Sequence, residues 1–312
     1  MKLEKFKYRL KRVLGKEELK VLMDVSNCNL RCSMCPRGGT SDLKNEARGL
    51  MSIELFKRII DKFKSENVKI REIQMGNWGE PLLNNELPKM IRYLKDTWPP
   101  SYMGRPGSVG ISTNLNHLKD AEELLDSGVD WIRVSISGMT QEIYVKNHVG
   151  GDIEKVLRNL LRLAEVRDRK KLNVNLGIGF HNLVYNKKDA EMAKKFCEDH
   201  RLGFTLLDMY VPSVEDNVKF HKDKEKFSKI YREFIDLDKE IAAMKLVKKS
   251  VEKCQFRRSI VAVNFDGRLY RCCAAFEEKN FIGFIFDHKI RNITRIKSPI
   301  CYVCAKTPMS WR

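Results

Sequence analysis

From Lys20 onward the chain repeats one pattern, a short apolar run followed by an amphipathic stretch. That alternation constrains the fold more than any other feature, because strands separated by helical segments pair in parallel, with the helices covering a face of the sheet. Six units are present. Strands are expected at Lys20 to Ser26, Ile70 to Met75, Val109 to Thr113, Trp131 to Ser137, Val174 to Phe180 and Phe204 to Tyr210. Helices are expected from Ser52, an N-cap that sets Leu55, Phe56, Ile59, Ile60 and Phe63 on one face, and over Glu86 to Trp98. Further helices are expected from Lys119 to a stop at Gly128, from a cap at Asp152, and near Lys187 to His200. Six units are fewer than the eight of a closed barrel. The expected fold class is therefore α/β, a partial (β/α)6 barrel with its site at the C-terminal strand ends.

Past Pro212 the pattern changes to a charged helical segment and then to a short cysteine-bearing tail. The expected division is a basic arm at 1–19, a barrel at 20–213, a charged helical linker at 214–253 and a small α+β domain at 254–312. Within the tail, Ile260 to Phe265 and Arg268 to Arg271 flank an Asp266-Gly267 turn and read as a hairpin. No run approaches the roughly 18 apolar residues of a membrane span, and Met1 opens into Lys, Arg and Glu without an apolar leader, so a cytoplasmic protein with no membrane partner is expected. Net charge is +18, from 59 Lys and Arg against 41 Asp and Glu. The excess is spread along the chain, and such a field favours anionic substrates or nucleic acid.

Nine cysteines in a reducing compartment, an odd number, point to metal binding rather than disulfides. Cys28, Cys32 and Cys35 stand in one loop (CNLRCSMC) directly after the first strand. A structural zinc site takes four protein ligands, whereas three thiolates on an iron–sulfur cubane leave one iron open. The tail supplies Cys254, Cys272, Cys301 and Cys304, a closed set of four that describes a zinc ribbon as well as an iron–sulfur site. Cys273 stands beside Cys272, and Cys197 reads as packing within a helix. Gly177-Ile178-Gly179 reads as room for close approach of a cofactor or substrate.

The CNLRCSMC loop resembles the CxxxCxxC loop of the radical S-adenosylmethionine (SAM) superfamily, and the resemblance extends over roughly Lys20 to Cys304. It implies a [4Fe-4S] cluster on Cys28, Cys32 and Cys35 whose open iron binds the amino and carboxylate groups of SAM, with Met34 packed near the adenine. Gly76-Asn77-Trp78-Gly79-Glu80-Pro81 resembles the family's GGE motif, departing at Asn77-Trp78, and implies Gly79 and Glu80 at the SAM ammonium. Ser112, Asn114, Ser135 and Ser137, at the ends of the third and fourth strands, match positions for the SAM carboxylate and ribose. Asn147-His148 stand where a basic residue is frequent in the family, and His148 reads as a surface histidine.

The tail resembles a twitch domain, a shorter relative of the SPASM extension, which implies a second, auxiliary [4Fe-4S] cluster on Cys254, Cys272, Cys301 and Cys304. The resemblance implies cleavage of SAM to a 5′-deoxyadenosyl radical and hydrogen abstraction from carbon, with an electron donor such as flavodoxin or ferredoxin. The leading expectation is oxidation or rearrangement of a small molecule or peptide, with the auxiliary cluster as electron acceptor. The alternatives are radical SAM modification of a nucleotide or nucleic acid, and a zinc-type nucleic-acid-binding protein without catalysis. Tyr210, His181 and Asp208, near predicted strand ends, are the candidate proton-transfer residues.

Overall fold

The computed structural model describes residues 18–37, 49–97, 107–246, 251, 254–275, 277 and 280–307. The basic arm up to residue 17, Trp98, and residues 247–250, 252–253 and 308–312 lie outside the described residues. The strands are β1 (Leu19–Met23), β2 (Ile70–Met75), β3 (Ser108–Thr113), β4 (Trp131–Ile136), β5 (Asn175–Asn182), β6 (Gly203–Asp208), β7 (Ile260–Val263), β8 (Arg268–Tyr270) and β9 (Phe281–Phe284). They form one sheet in the order β6-β5-β4-β3-β2-β1-β7-β8-β9. The first six are parallel and sequential, as the alternating pattern requires. β1 pairs with β2 and β7, so β6 does not close back on it and the six strands form an open arc.

The helices are α1 (Ile53–Ser65), α2 (Leu87–Thr97), α3 (Ala121–Asp126), α4 (Gln141–Asn147), α5 (Ile153–Arg169), α6 (Lys187–Asp199), α7 (Val214–Lys222), α8 (Lys224–Tyr231), α9 (Leu237–Leu246), α10 (Gln255–Ser259), α11 (Ile290–Ile293) and α12 (Pro299–Lys306). The caps work as expected. Ser52 Oγ accepts from Leu55 N at 3.1 Å and Asp152 Oδ1 accepts from Lys155 N at 3.0 Å, each satisfying an N–H that the first helical turn leaves free. α1 buries Phe56, Ile59, Ile60 and Phe63, and α5 buries Ile153, Val156, Leu160 and Leu163. Cys197 is buried in the same core on α6, confirming its packing role.

Strand alternation sorts the side chains. Ile132, Val134 and Ile136 of β4 are at most 1% exposed and pack in the helix-covered core, while Trp131, Arg133 and Ser135 alternate to the other face. Neighbouring β5 buries Leu176, Ile178 and Phe180 and gives Gly177, Gly179 and His181 to that same inner face. The glycines there make room for large neighbours. A Cβ on Gly110 would lie 1.7 Å from the Trp131 indole, and one on Gly179 would lie 2.9 Å from Arg133 Cδ, so this space is taken up by Arg133 and Leu207.

The tail joins the same sheet. β7 runs parallel to β1 from Lys20↔Ile260 to Met23↔Val263, and the predicted hairpin forms as antiparallel β7 and β8 around Asp266 and Gly267 (φ 83°). Its backbone also returns to the linker, where Val214 N donates to Ala274 O at 2.8 Å.

Gly110→Ala is expected to destabilise the fold by roughly 1–3 kcal/mol, since the indole that covers the glycine has no room for a methyl group. Denaturant titration measures this, and an unchanged midpoint would show that Trp131 does not lie over β3.

Candidate active site

The site forms where β1, β2 and β3 end. Asp24, one residue past β1, is 1% exposed, and its Oδ1 accepts three successive backbone N–H bonds from Asn77 (2.9 Å), Trp78 (2.8 Å) and Gly79 (2.9 Å). A carboxylate satisfied by a run of N–H groups fixes a turn as firmly as a ladder of backbone bonds would. The turn presses on the segment after β1: Glu80 N donates to Asn27 O at 2.7 Å, and Ser26 Oγ donates to Glu80 O. A Cβ on Gly79 would sit 1.9 Å from Ser26 O, so only glycine fits.

Glu80 lies within the protein, 1% exposed. Oε1 accepts from Thr113 Oγ1 at 2.6 Å and Leu82 N at 3.1 Å, and Oε2 accepts from Asn114 N at 2.6 Å. Burial outweighs these bonds and raises its carboxyl to about 7. Asn114 then connects this carboxylate to the cysteine loop, its Nδ2 donating to Asn29 Oδ1 at 3.0 Å and reaching Cys28 Sγ at 3.6 Å.

The cysteine loop is clipped to the end of α4. Arg31 N donates to Val149 O (3.0 Å), Ser33 N to Asn147 O (2.8 Å), Ser33 Oγ to Lys146 O (2.8 Å) and Met34 N to Asn147 Oδ1 (3.1 Å). Cys28 is exposed, while Cys32 and Cys35 are half-buried. Desolvation of the sulfurs is the main cause that pushes Cys28 to about 12 and Cys32 well above the usual thiol range, with Glu80 and the neighbouring thiols adding to it. A bound metal reverses that preference, because it takes thiolates. No three His, Cys, Asp or Glu side chains among the described residues close on one point as a single ion would require. A cubane places each thiolate on a separate iron and needs only three of them, so three thiols of one loop suit a cluster, whereas a structural zinc site takes four protein ligands.

The other expected SAM contacts divide. Ser112 and Ser135 lie half-buried on the inner face, below the loop. Ser137 is fully buried, with Oγ 2.7 Å from His148 Nδ1. His148 is likewise not a surface histidine. It is 1% exposed, stacked between Tyr144 (4.7 Å) and His181 (5.4 Å), and burial together with His181 holds its imidazole well below the usual range. Met34 is 3% exposed and packs with Leu183, Val211, Phe220 and Tyr231, so protein already fills much of its surroundings.

Of the proton-transfer candidates, His181 is on the inner face, lowered to about 4 by burial and by the charge of Arg133. Asp208 alternates to the opposite face, where its Oδ1 accepts from Asn182 Nδ2 at 2.7 Å. Tyr210, past the end of β6, is 44% exposed and within electrostatic reach of Cys273.

In the tail, Cys272 sits with Cys304 against Val214, Ala274, Ala275 and Ile300, while Cys254 is within electrostatic reach of Cys273. Burial raises Cys272 well above its usual range and Cys273 to about 11. Arg271, fully buried, donates to Ile293 O (2.8 Å) and Arg257 O (2.9 Å) and brings its charge to Cys301 and Cys272. Trp78, the departure within the Gly76 to Glu80 motif, has a structural reason: its Nε1 donates to Cys273 O at 3.2 Å and links the two cysteine regions. Sequence reasoning missed Asp24, Arg133 and Arg271. The available signal was a charged residue interrupting or ending an apolar run.

The raised Glu80 carboxyl has a pH consequence. Its folded-state value of about 7 lies above the usual 4.5, so the fold holds the proton more tightly than the unfolded chain does. This contribution is complete below pH 4.5 and is lost as pH rises through 7, a change of roughly 3 kcal/mol. Unfolding free energies of wild type and Glu80→Gln across that window should differ in slope by this component, and parallel curves would contradict the buried placement of the carboxyl.

Comparison with known proteins gives a family. The Radical SAM superfamily pattern matches residues 24–193. Curated relatives include a probable GTP 3′,8-cyclase of Methanocaldococcus jannaschii, 26% identical over 209 residues, 66% of this chain and 64% of that protein. Another probable GTP 3′,8-cyclase, from Methanococcus maripaludis strain C6, is 33% identical over 217 residues, 69% of this chain and 63% of that protein. The chain thus spans less than two thirds of the length of these relatives. Among solved structures, Streptococcus suis SuiB bound to precursor peptide SuiA aligns with a TM-score of 0.63 at 13% identity, covering 97% of this chain and 71% of SuiB. Native anSMEcpe with bound AdoMet aligns with a TM-score of 0.57 at 19% identity, covering 91% of this chain and 82% of that one. These likenesses agree with the α/β fold, and the family pattern, matched over more than half of the chain, identifies the protein as a member of the radical SAM superfamily, whose enzymes use a [4Fe-4S] cluster and SAM.

Proposed function

We propose that this radical SAM enzyme abstracts hydrogen from a carbon of a small anionic substrate, with a nucleotide as the substrate class. The observation that carries the reading is the convergence of the Cys28 loop, the Glu80 turn and Asn114 at one edge of the sheet, above an inner face that contains Arg133. Support for a nucleotide comes from relatives named GTP 3′,8-cyclase and from the net charge of +18.

In this reading Cys28, Cys32 and Cys35 hold the [4Fe-4S] cluster. When bound, the cluster would pass one electron to SAM, where it is consumed in breaking a carbon–sulfur bond, and so would supply a 5′-deoxyadenosyl radical to the site. The protein's own tasks are orientation and exclusion of water. Asn114 stands beside Cys28 and turns its amide toward the loop, Gly79 lets the turn approach β1, and Glu80 offers its remaining lone pair to an ammonium. Ser112 and Ser135 supply hydroxyls on the inner face for polar groups of SAM.

In the same reading Cys254, Cys301 and Cys304, with Cys272 or its neighbour Cys273 as the fourth, hold a second [4Fe-4S] cluster. Arg271 favours the thiolate forms there through its positive charge. An electron acceptor at that place makes the net reaction an oxidation, and its absence makes it a redox-neutral rearrangement. The excess positive charge suits an acidic one-electron donor such as flavodoxin or ferredoxin. No helix among the described residues is long and apolar enough to cross a membrane.

The test is turnover. Anaerobically reconstituted enzyme with dithionite and SAM is expected to release 5′-deoxyadenosine at least tenfold faster when GTP is added, with a new nucleotide product by mass spectrometry. Release unaffected by any nucleoside triphosphate, but stimulated by a peptide or an uncharged metabolite, would contradict the nucleotide reading.

A further inference from the structure

Arg133 lies on the inner face at the middle of the arc, in register with Ser112 on β3 and Gly177 on β5. Its stem lies over Gly179, where an added Cβ would come within 2.9 Å of Cδ. Its guanidinium is held in place but not neutralised. Among the described residues Nε is buried without a hydrogen-bond partner, and Nη2 makes a long, 3.4 Å bond to Ser112 Oγ. The carboxylate whose charge reaches it, Glu72, is itself ion-paired with Lys20 at 2.7 Å. The Trp131 ring, 5.9 Å from Cζ, adds a weak cation–π contact.

Arg133 is half-buried, and a guanidinium with one donor buried and unpaired is costly to the fold. Such a group is retained where a ligand completes it, and a planar fork of N–H donors matches the paired oxygens of a carboxylate or phosphate. The surroundings suit an anion. Ser112 and Ser135 add hydroxyls on the same face, and His181, two residues beyond Gly179, stays neutral at pH 7 and brings no competing charge.

We infer that Arg133 anchors an anion subsite on the inner face, where its guanidinium receives two oxygens of a bound carboxylate or phosphate. The source is either the carboxylate of SAM or an anionic group of the substrate. The inference rests on the radical SAM site proposed above but does not require the substrate to be a nucleotide.

The experiment measures binding of SAM, GTP and inorganic tripolyphosphate to anaerobically purified, cluster-loaded wild type, Arg133→Met and Arg133→Lys by calorimetry, with thermal melting alongside. Losing a desolvated charge partner is expected to weaken the anion that Arg133 holds by about 30-fold or more. The melting temperature of unliganded Arg133→Met should be unchanged or higher, because the unmet buried charge is gone, whereas a structural arginine would lower it. Weakened SAM binding alone assigns the subsite to the SAM carboxylate. Weakened GTP and tripolyphosphate binding assigns it to a substrate phosphate.

If GTP binds none of the three proteins while SAM binding falls in both variants, the subsite stands and the nucleotide reading fails. If GTP binds all three proteins equally and SAM does too, the nucleotide reading stands and the inference is overturned. Absence of SAM, GTP and tripolyphosphate binding in wild type overturns it as well. Arg133→Lys keeps the charge and most of the packing but loses the fork, so wild-type affinities in that variant would overturn it even if Arg133→Met fails to fold.

Discussion

The geometry of the site depends on one buried carboxylate. Asp24 Oδ1 gathers the N–H groups of Asn77, Trp78 and Gly79, and everything at the C-terminal edge of the first three strands is built on the turn so fixed. The turn places Glu80 under Asn114, and Asn114 stands beside Cys28. It also aims Trp78 at the backbone of Cys273, so the tail is positioned from the same point. An acidic residue at the end of an apolar strand would ordinarily be expensive to bury. Here three charge-assisted bonds offset that cost and convert it into positional order.

The strands and capped helices were legible because their signals are local. Ile70 to Met75 was read at its observed bounds, and Ser52 and Asp152 cap the helices that their spacing to the apolar face predicted. The tail hairpin followed from Asp266-Gly267 in the same way. Its partner was not legible, since the parallel pairing of β7 with β1 joins residues about 240 apart in sequence, and no local pattern encodes that choice.

Side-chain direction was the other gap. Ser137 reads as a ligand contact from its place at a strand end, but a histidine buried eleven positions on captures its hydroxyl. His148 in turn is buried because Tyr144 and His181 stack on its two faces, one from the preceding helical turn and one from β5. The three rings link the clip behind the cysteine loop to the inner face. Asn147 reinforces this by accepting from Met34 N and placing Nδ2 3.4 Å from His181 Nδ1. Alternation along β5 and β6 separated His181 from Asp208, which a search of strand ends alone treats as equivalent.

The central claim is that two separate sets of thiols hold iron–sulfur clusters, one at the Asp24-ordered edge and one in the tail. Iron, sulfide and zinc analysis with electron paramagnetic resonance of anaerobically purified, dithionite-reduced protein tests it, set against a variant with Cys28, Cys32 and Cys35 all changed to Ala. The account predicts about eight irons per chain in wild type and about four, with a surviving cluster signal, in the variant. A protein that holds zinc and takes up no iron on reconstitution would contradict it.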